Sequence, residues 1–187
     1  MVRFHTNFAE LVPHPALTHF GHDKPTKKTI DVFVPEMYAN AMAIHSSRGG
    51  GMHGILGQIT TAAEYAAIPN TVAYVRPQYP GPAPVHPLGG TAYQIAEINR
   101  QFQADTEEFN LTFAADSFLK KQLIEACPDI YLNIHRDRLY SYANVPLLTL
   151  IQHVVNTYGI IRPDDLTANL KEFLAPWNIA IEEIDVF

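Results

Sequence analysis

Apolar side chains recur every three or four positions over most of this chain, and this spacing predicts amphipathic helices. The longest such stretch follows the capping pattern Thr91-x-x-Gln94 and runs to Pro128. Its apolar stripe consists of Ile95, Ile98, Phe102, Phe109 and Phe113, and Leu119, Leu123 and Ala126 continue the pattern. Since the stretch is far longer than an average helix, the pattern allows either one extended helix or two helices with a break at 114–117.

Two earlier segments also carry helical signals. In "VPEMYANAMAIH", Pro35 suits a first helical turn, the alanines propagate a helix, and the following glycine run ends it. In "TTAAEYAAI", the capping box Thr61-x-x-Glu64 predicts a short helix that ends at Pro69. A further short helix is predicted around Ile130 to Ile134.

The strongest helical pattern is "VPLLTLIQHVVNTYG", which Asn144 is expected to cap and Gly159 to end. The next helix begins at Pro163, with two aspartates in its first turn, and stops at Pro176. The core-facing residues predicted for these two helices and the segment after them are Leu147, Ile151, Val154, Tyr158, Leu170, Phe173 and Trp177.

The chain shows no alternation of strands and helices, so an all-α fold is predicted. Prolines interrupt residues 1–30, which we expect to form an extended arm before a helical domain at 31–177. Within that domain, six prolines make 69–90 a long proline-rich loop. Residues 178–187 are expected to begin a further helix or a linker to a C-terminal domain.

The composition narrows the classes of function. The chain has 187 residues, a net charge of −6 and a single cysteine, Cys127. An acidic balance disfavours direct binding to nucleic-acid phosphates, and one cysteine excludes an intramolecular disulfide. Without a signal peptide or a long apolar segment, a cytoplasmic protein that does not enter the membrane is expected.

The glycine run "SSRGGGMHGIL" matches the pattern G-x-G-x-x-G at Gly49, Gly51 and Gly54. A dinucleotide-binding turn needs a preceding strand and an acidic residue about twenty positions later. Here a predicted helix precedes the run and Tyr74 lies near the acidic position. We therefore interpret Gly49, Gly50, Gly51 and Gly54 as a hinge between helices, whose glycines permit positive φ or close backbone packing. Arg48 is a candidate anion or carboxylate contact.

The residues do not assemble a predicted active site. The nine histidines are scattered, and none forms the helical His-x3-His pair typical of zinc sites. Cys127 has no histidine and acid in an evident nucleophile arrangement. The expectation is a protein that is not an enzyme and that holds neither a cofactor nor a metal.

The order of several segments resembles the Gag-like capsid region of copia-type LTR retrotransposons, especially those of diatoms and other stramenopile algae. The segments that carry the resemblance are "YANAMAIHSSRGGGMHGIL", "GGTAYQIAEINRQF", "YANVPLLTLIQHVVNTYG" and "IRPDDLTANLKEFLAPWN". The sequence departs from the family at Arg162, where a threonine is common, and at Ile179, where a proline is common. The similarity extends over essentially the whole chain and corresponds to the N-terminal capsid portion.

This resemblance implies a helical capsid-like bundle that self-assembles into oligomers or virus-like particles around the element's RNA. With one cysteine the chain does not carry a zinc knuckle, so RNA contact is expected to be indirect, through a further C-terminal region. The expected assembly contacts are the stripe of Leu147, Ile151 and Val154, the glycine hinge, and the N-terminal arm reaching a neighbour.

A second interpretation is a domesticated Gag-derived binding module. In this case the proline-rich loop recruits a host protein, because extended proline-rich segments dock readily into aromatic grooves. The loop residues assigned to this role are Pro80, Pro82, Pro84 and Pro87.

Overall fold

Helices account for all the regular secondary structure in the described ranges of the computed structural model, residues 7–21, 25–46, 52–161 and 163–174. The all-α prediction is confirmed for these residues. The elements in chain order are α1 (Phe8–Leu11), α2 (Lys27–Ala43), a first 3₁₀ turn (Leu56–Gln58), α3 (Ala62–Ala66), α4 (Ala92–Ala126), α5 (Asp129–Leu132), a second 3₁₀ turn (Asn133–His135), α6 (Leu147–Tyr158) and α7 (Pro163–Phe173).

The core lies where α2, the C-terminal half of α4 and α6 pack against one another. Each helix contributes fully buried apolar side chains at helical spacing, as the burial of one face requires. The central members of this core are Phe33, Met37, Leu119, Leu123, Leu150 and Val154. These three segments form the body of the molecule.

Both capping boxes are present. The side-chain oxygen of Thr61 accepts a hydrogen bond from the backbone N–H of Glu64 at 3.2 Å. The equivalent bond from Gln94 to Thr91 is 3.3 Å long. The helix that Thr91 caps continues for 35 residues without a break. Of the two predicted alternatives, the structure therefore has the single extended helix.

Two predicted helix starts are wrong. The helix predicted to start near Pro35 begins eight residues earlier, at Lys27, and Pro35 lies inside it. An internal proline costs roughly 3 kcal/mol, but the added turns bury Ile30 and Phe33 in the core. Asn144 does not cap α6, because this helix starts at Leu147 with Pro146 in the capping position.

The N-terminal half of α4 extends away from the body. At 1.5 Å per residue the whole helix is about 52 Å long, and none of residues 92–107 is buried. The C-terminal part of the predicted stripe is buried, at Leu119, Leu123 and Ala126. Further toward the N-terminus Phe113 is exposed, and Thr112 and Ala115 lie on the buried face instead. No helix in the described ranges is long and apolar enough to cross a bilayer.

Residues 69–90 contain no helix or strand, and their contacts run antiparallel to α4. Arg76 forms an ion pair with Asp116 over 3.6 Å. Further along the segment, the ring of Tyr79 packs on Phe109 with centroids 5.5 Å apart. These contacts cover one side of α4 and join the loop to the helix.

The prediction of an extended arm at 1–30 is wrong for much of its described part. Besides α1 and the first turns of α2, this range contains a segment that folds onto the chain's own core. The buried members of the N-terminal segment are Phe8, Val12, Leu17 and Phe20. Phe20 meets Phe33 edge to face at 4.8 Å, and Phe8 packs on Phe118 at 5.5 Å. The segment 7–21 is therefore committed to its own subunit and does not serve as a reach to a neighbour.

Buried amide side chains hold this segment in place. The side-chain oxygen of Asn40 in α2 accepts a hydrogen bond from the backbone N–H of His14 at 2.9 Å, and its NH₂ group donates to the His14 carbonyl at 2.7 Å. Gln122 of α4 donates to the carbonyls of His14 at 3.0 Å and Pro15 at 2.8 Å. Asn40 also donates to Gln122 Oε1 at 3.0 Å. We refer to Asn40 and Gln122 as the amide clamp.

We expect Asn40→Ala to lower the free energy of unfolding by about 2–4 kcal/mol, because it leaves the His14 N–H and the Gln122 oxygen buried without their partner. Chemical denaturation followed by circular dichroism measures this change. The matched control is Asn110→Ala at an exposed position of α4, for which a change within about 0.5 kcal/mol is expected. Equal effects of the two substitutions would contradict the role of the clamp.

Candidate interaction surfaces

Gly54 closes the turn that follows the glycine run. It has a φ of +54°, and a Cβ atom at this position would lie 2.6 Å from the Met42 carbonyl oxygen and 2.7 Å from that of Ala41. The next residue, Ile55, donates its N–H to the Ala41 carbonyl at 3.1 Å. The chain thus folds back over the end of α2, and Gly54 has the positive φ and the close backbone packing expected of the glycines in this run.

The glycine run has an α-helix before it and a single 3₁₀ turn after it. This order is not the strand–turn–helix that a dinucleotide fingerprint requires. The remaining members of the predicted hinge, Arg48, Gly49, Gly50 and Gly51, lie outside the described residues.

A cluster of buried polar side chains lies close to this turn. Ser46 donates its hydroxyl to Glu108 at 2.7 Å, and both residues are buried. The ring of Tyr74 lies directly against Gly57 and packs on Tyr65 with centroids 5.7 Å apart. Burial raises the pKa of Tyr74 to about 12, against smaller opposing effects of the Gln58 side chain and Arg76.

Several polar atoms of this cluster are buried without a hydrogen-bond partner of standard geometry. They are both amide atoms of Gln58 and the hydroxyls of Tyr65, Tyr74 and Thr112. Burial raises the pKa of Tyr65 as well, so both tyrosine hydroxyls stay protonated at neutral pH. The arrangement of the cluster joins the glycine turn to α4.

Cys127 is a structural residue of the core. Its thiol is buried, and burial together with the nearby charge of Asp129 raises its pKa to about 12. A thiol with such a pKa stays protonated at neutral pH and is a poor nucleophile. Across the described ranges, no three histidine, cysteine, aspartate or glutamate side chains are grouped to hold a metal ion.

An open groove of about 370 Å³ lies between α2, α3 and α6. Its walls are apolar and its rim carries polar side chains, which is typical of binding sites in proteins. The apolar lining consists of Ile30, Val34, Pro35, Ile59, Leu148, Ile151 and Val155. The polar lining consists of Asp31, Tyr38, Glu64, Gln152 and Asn156.

The rim of this groove is electronegative. Asp31 and Glu64 are carboxylates on opposite elements, and only Asp31 has a lysine beside it, Lys27 one turn earlier on α2. Burial and, less strongly, the charge of Glu64 raise the pKa of Tyr38. Because Pro35 has no N–H, the carbonyl of Asp31 also lacks its normal helical donor. The groove therefore favours a cationic or hydrogen-donating occupant.

The apolar face of α7 is exposed, contrary to the prediction that it joins the core. Leu170 is 57% exposed and Phe173 is 85% exposed, and Leu166 and Leu174 are exposed as well. The pattern of this helix is amphipathic, but α7 follows α6 on the outside of the body, so nothing in the described chain covers its face. Trp177, predicted to extend it, lies outside the described residues.

The stripe predicted on α6 is buried, unlike the apolar face of α7. Leu147, Ile151 and Val154 are buried inside the subunit, and Tyr158 is half-buried against Tyr131 at 5.3 Å between ring centroids. Their assignment to the helix core is confirmed. Leu147 and Val154 are not available as an assembly contact, because they fill the subunit's own core. Ile151 also lines the groove between α2, α3 and α6.

The prolines of the proline-rich loop differ in their exposure to solvent. Pro80 and Pro84 are half-buried, and Pro82 and Pro87 are exposed. The most exposed apolar side chains of the loop are Val85 and Leu88. The loop presents these residues on the outer side of α4.

The groove was not predicted because its residues come from three separate parts of the chain. Asp31, Glu64 and Asn156 share no sequence motif, and only the packing of α2, α3 and α6 brings them to one rim. The single local signal is the internal Pro35, which breaks one helical hydrogen bond at the groove.

We expect Gly54→Ala to lower the free energy of unfolding by at least about 2 kcal/mol, because the new Cβ meets carbonyl oxygens and the positive φ is strained. Gly81→Ala is the control: its φ is +84° but the space around it is open. This control should lower the free energy of unfolding by only about 1 kcal/mol, because only the strain of the positive φ remains. Thermal unfolding of both variants separates packing from strain, and equal losses would contradict the packing role.

Comparisons with protein-family models, with curated proteins and with solved structures found no significant match to this chain.

Proposed function

We propose that this chain is a self-assembling structural protein of the Gag capsid type that its sequence resembles, acting in the cytoplasm. The observation that carries the proposal is the exposed apolar face of α7. Exposed apolar surface arranged along one helix face marks a protein–protein contact, because water leaves such surface favourably when a partner covers it.

The charge of the chain supports a protein partner over a nucleic acid. At a net charge of −6, the chain repels phosphate groups at long range. Lys171 is the basic residue in the last turn of α7. Contact between RNA and this chain is not part of the proposed role.

A second candidate function is recruitment of a partner through the proline-rich loop. The observation in its favour is the exposure of Val85 and Leu88 beside prolines of an extended segment that is already held against α4. A preordered segment loses little entropy on binding. This function needs no self-association, so the oligomeric state of the chain separates the two candidates.

We expect the whole chain to form oligomers whose mass rises with concentration in multiples of 20.9 kDa. The double substitution Leu170→Asp with Phe173→Asp should weaken association by about 10²- to 10⁴-fold, since each buried apolar side chain contributes roughly 1.5–3 kcal/mol. Sedimentation velocity over a range of concentrations measures this. Both side chains are exposed in the subunit, so the melting temperature should stay unchanged.

The matched control replaces an equally exposed apolar pair elsewhere, Ile130→Asp with Ile134→Asp. This control should still assemble, which rules out a general effect of surface hydrophobicity. A chain that remains monomeric at every concentration would refute the proposed function.

A further inference from the structure

We propose that the buried polar cluster between the glycine turn and α4 is a binding site for ordered water. The side chains of Gln58, Tyr65, Tyr74 and Thr112 form this site, which we call the hydration site. They come from the first 3₁₀ turn, α3, the start of the proline-rich loop and α4. Water bound here links four parts of the chain that these side chains do not join by direct hydrogen bonds.

Five polar atoms of the hydration site are buried without a hydrogen-bond partner. They are the amide oxygen and nitrogen of Gln58 and the hydroxyls of Tyr65, Tyr74 and Thr112. Gln58, Tyr65 and Thr112 are only 5%, 2% and 4% exposed. Such groups are destabilising, because they have lost their hydrogen bonds to bulk water. Native proteins leave very few of them unsatisfied, and ordered water is the usual partner where protein groups are missing.

The hydroxyl of Tyr74 lies at the centre of the site. The ring of Tyr74 packs against Gly57, the neighbour of Gln58, and against the ring of Tyr65 with centroids 5.7 Å apart. Burial is the main cause of the raised pKa of Tyr74, the Gln58 side chain lowers this pKa, and Glu108 and Tyr65 raise it. These groups therefore lie close enough to act on the Tyr74 hydroxyl.

Thr112 adds a hydroxyl that does not bond to its own helix. Serine and threonine inside helices commonly donate to the carbonyl four residues earlier. On α4, Thr106 and Ser117 both do so, at 2.7 and 2.9 Å. The buried hydroxyl of Thr112 makes no such bond to the carbonyl of Glu108. It is therefore available to a partner on the side of α4 where Glu108 acts on Tyr74.

The chemistry of the five atoms fits water. The amide nitrogen of Gln58 only donates, its amide oxygen only accepts, and the three hydroxyls do both. Water also donates and accepts, and it carries no charge. An anion would be repelled by Glu108, whose charge raises the pKa of Tyr74. Because a buried water makes about three hydrogen bonds, five atoms correspond to about two water molecules.

A high-resolution crystal structure of the whole chain tests the site directly. We expect ordered water within hydrogen-bond distance of the Tyr74 hydroxyl and of the Gln58 amide. Direct hydrogen bonds from protein groups to these atoms, with no water between them, would overturn the proposal. Carbon atoms packed against all five polar atoms would overturn it as well.

Tyr74→Phe tests the site in solution, because it removes one hydroxyl and keeps the ring. We expect the melting temperature to fall by about 2–4 °C, since the bound water loses a hydrogen bond. Removal of a hydroxyl that has no partner would leave the melting temperature unchanged or raise it, and this result would contradict the proposal. The matched control is Tyr93→Phe at a position that is 78% exposed, where no change is expected.

A double variant tests whether the hydroxyls share water. Thr112→Val removes the second hydroxyl and keeps a similar shape. Combined with Tyr74→Phe, it should lower the melting temperature by less than the sum of the two single losses, because both hydroxyls act through the same water. Strictly additive losses would refute a shared site. In the control, Ser117→Ala removes a hydroxyl that bonds to its own helix, and its loss should add to that of Tyr74→Phe.

Discussion

The fold depends on one buried polar interaction, the amide clamp of Asn40 and Gln122. Two helices that are far apart in the chain, α2 and α4, each supply one side chain, and together these satisfy the backbone of His14 and Pro15. Buried backbone groups must find partners, and hydrogen bonds are strengthened where water is excluded. By holding the N-terminal segment on the body, the clamp allows Leu17 and Phe20 to complete the core.

Satisfaction of buried polar groups also shapes the region around the glycine turn. The turn folds over the last carbonyls of α2 because Gly54 has no side chain. The backbone N–H of Ile55 then donates a hydrogen bond to the carbonyl of Ala41. In the same region Ser46 hydrogen-bonds to the buried carboxylate of Glu108. The result is a rigid, polar-lined junction between α2 and α4.

The surfaces left open by this packing give the molecule its proposed role. The core is completed by α2, α4, α6 and the N-terminal segment, so the apolar face of α7 has no partner within the described chain. The same packing leaves an acidic groove beside α6, where Pro35 interrupts the hydrogen bonds of α2.

The sequence by itself determined the elements whose signals are local. Capping boxes, helical spacing and prolines act within a few residues, and they placed α3, α4 and α7 and, apart from its start, α6 correctly. Contacts between distant residues were decided only by the tertiary structure. Burial of Ile30 and Phe33 in the core outweighed the local signal of Pro35. Packing between distant parts of the chain likewise buried the segment 7–21 and formed the groove. Amphipathic spacing shows that a helix has an apolar face. Whether that face is covered depends on neighbours far along the chain, which is why Val154 is buried and Phe173 is exposed.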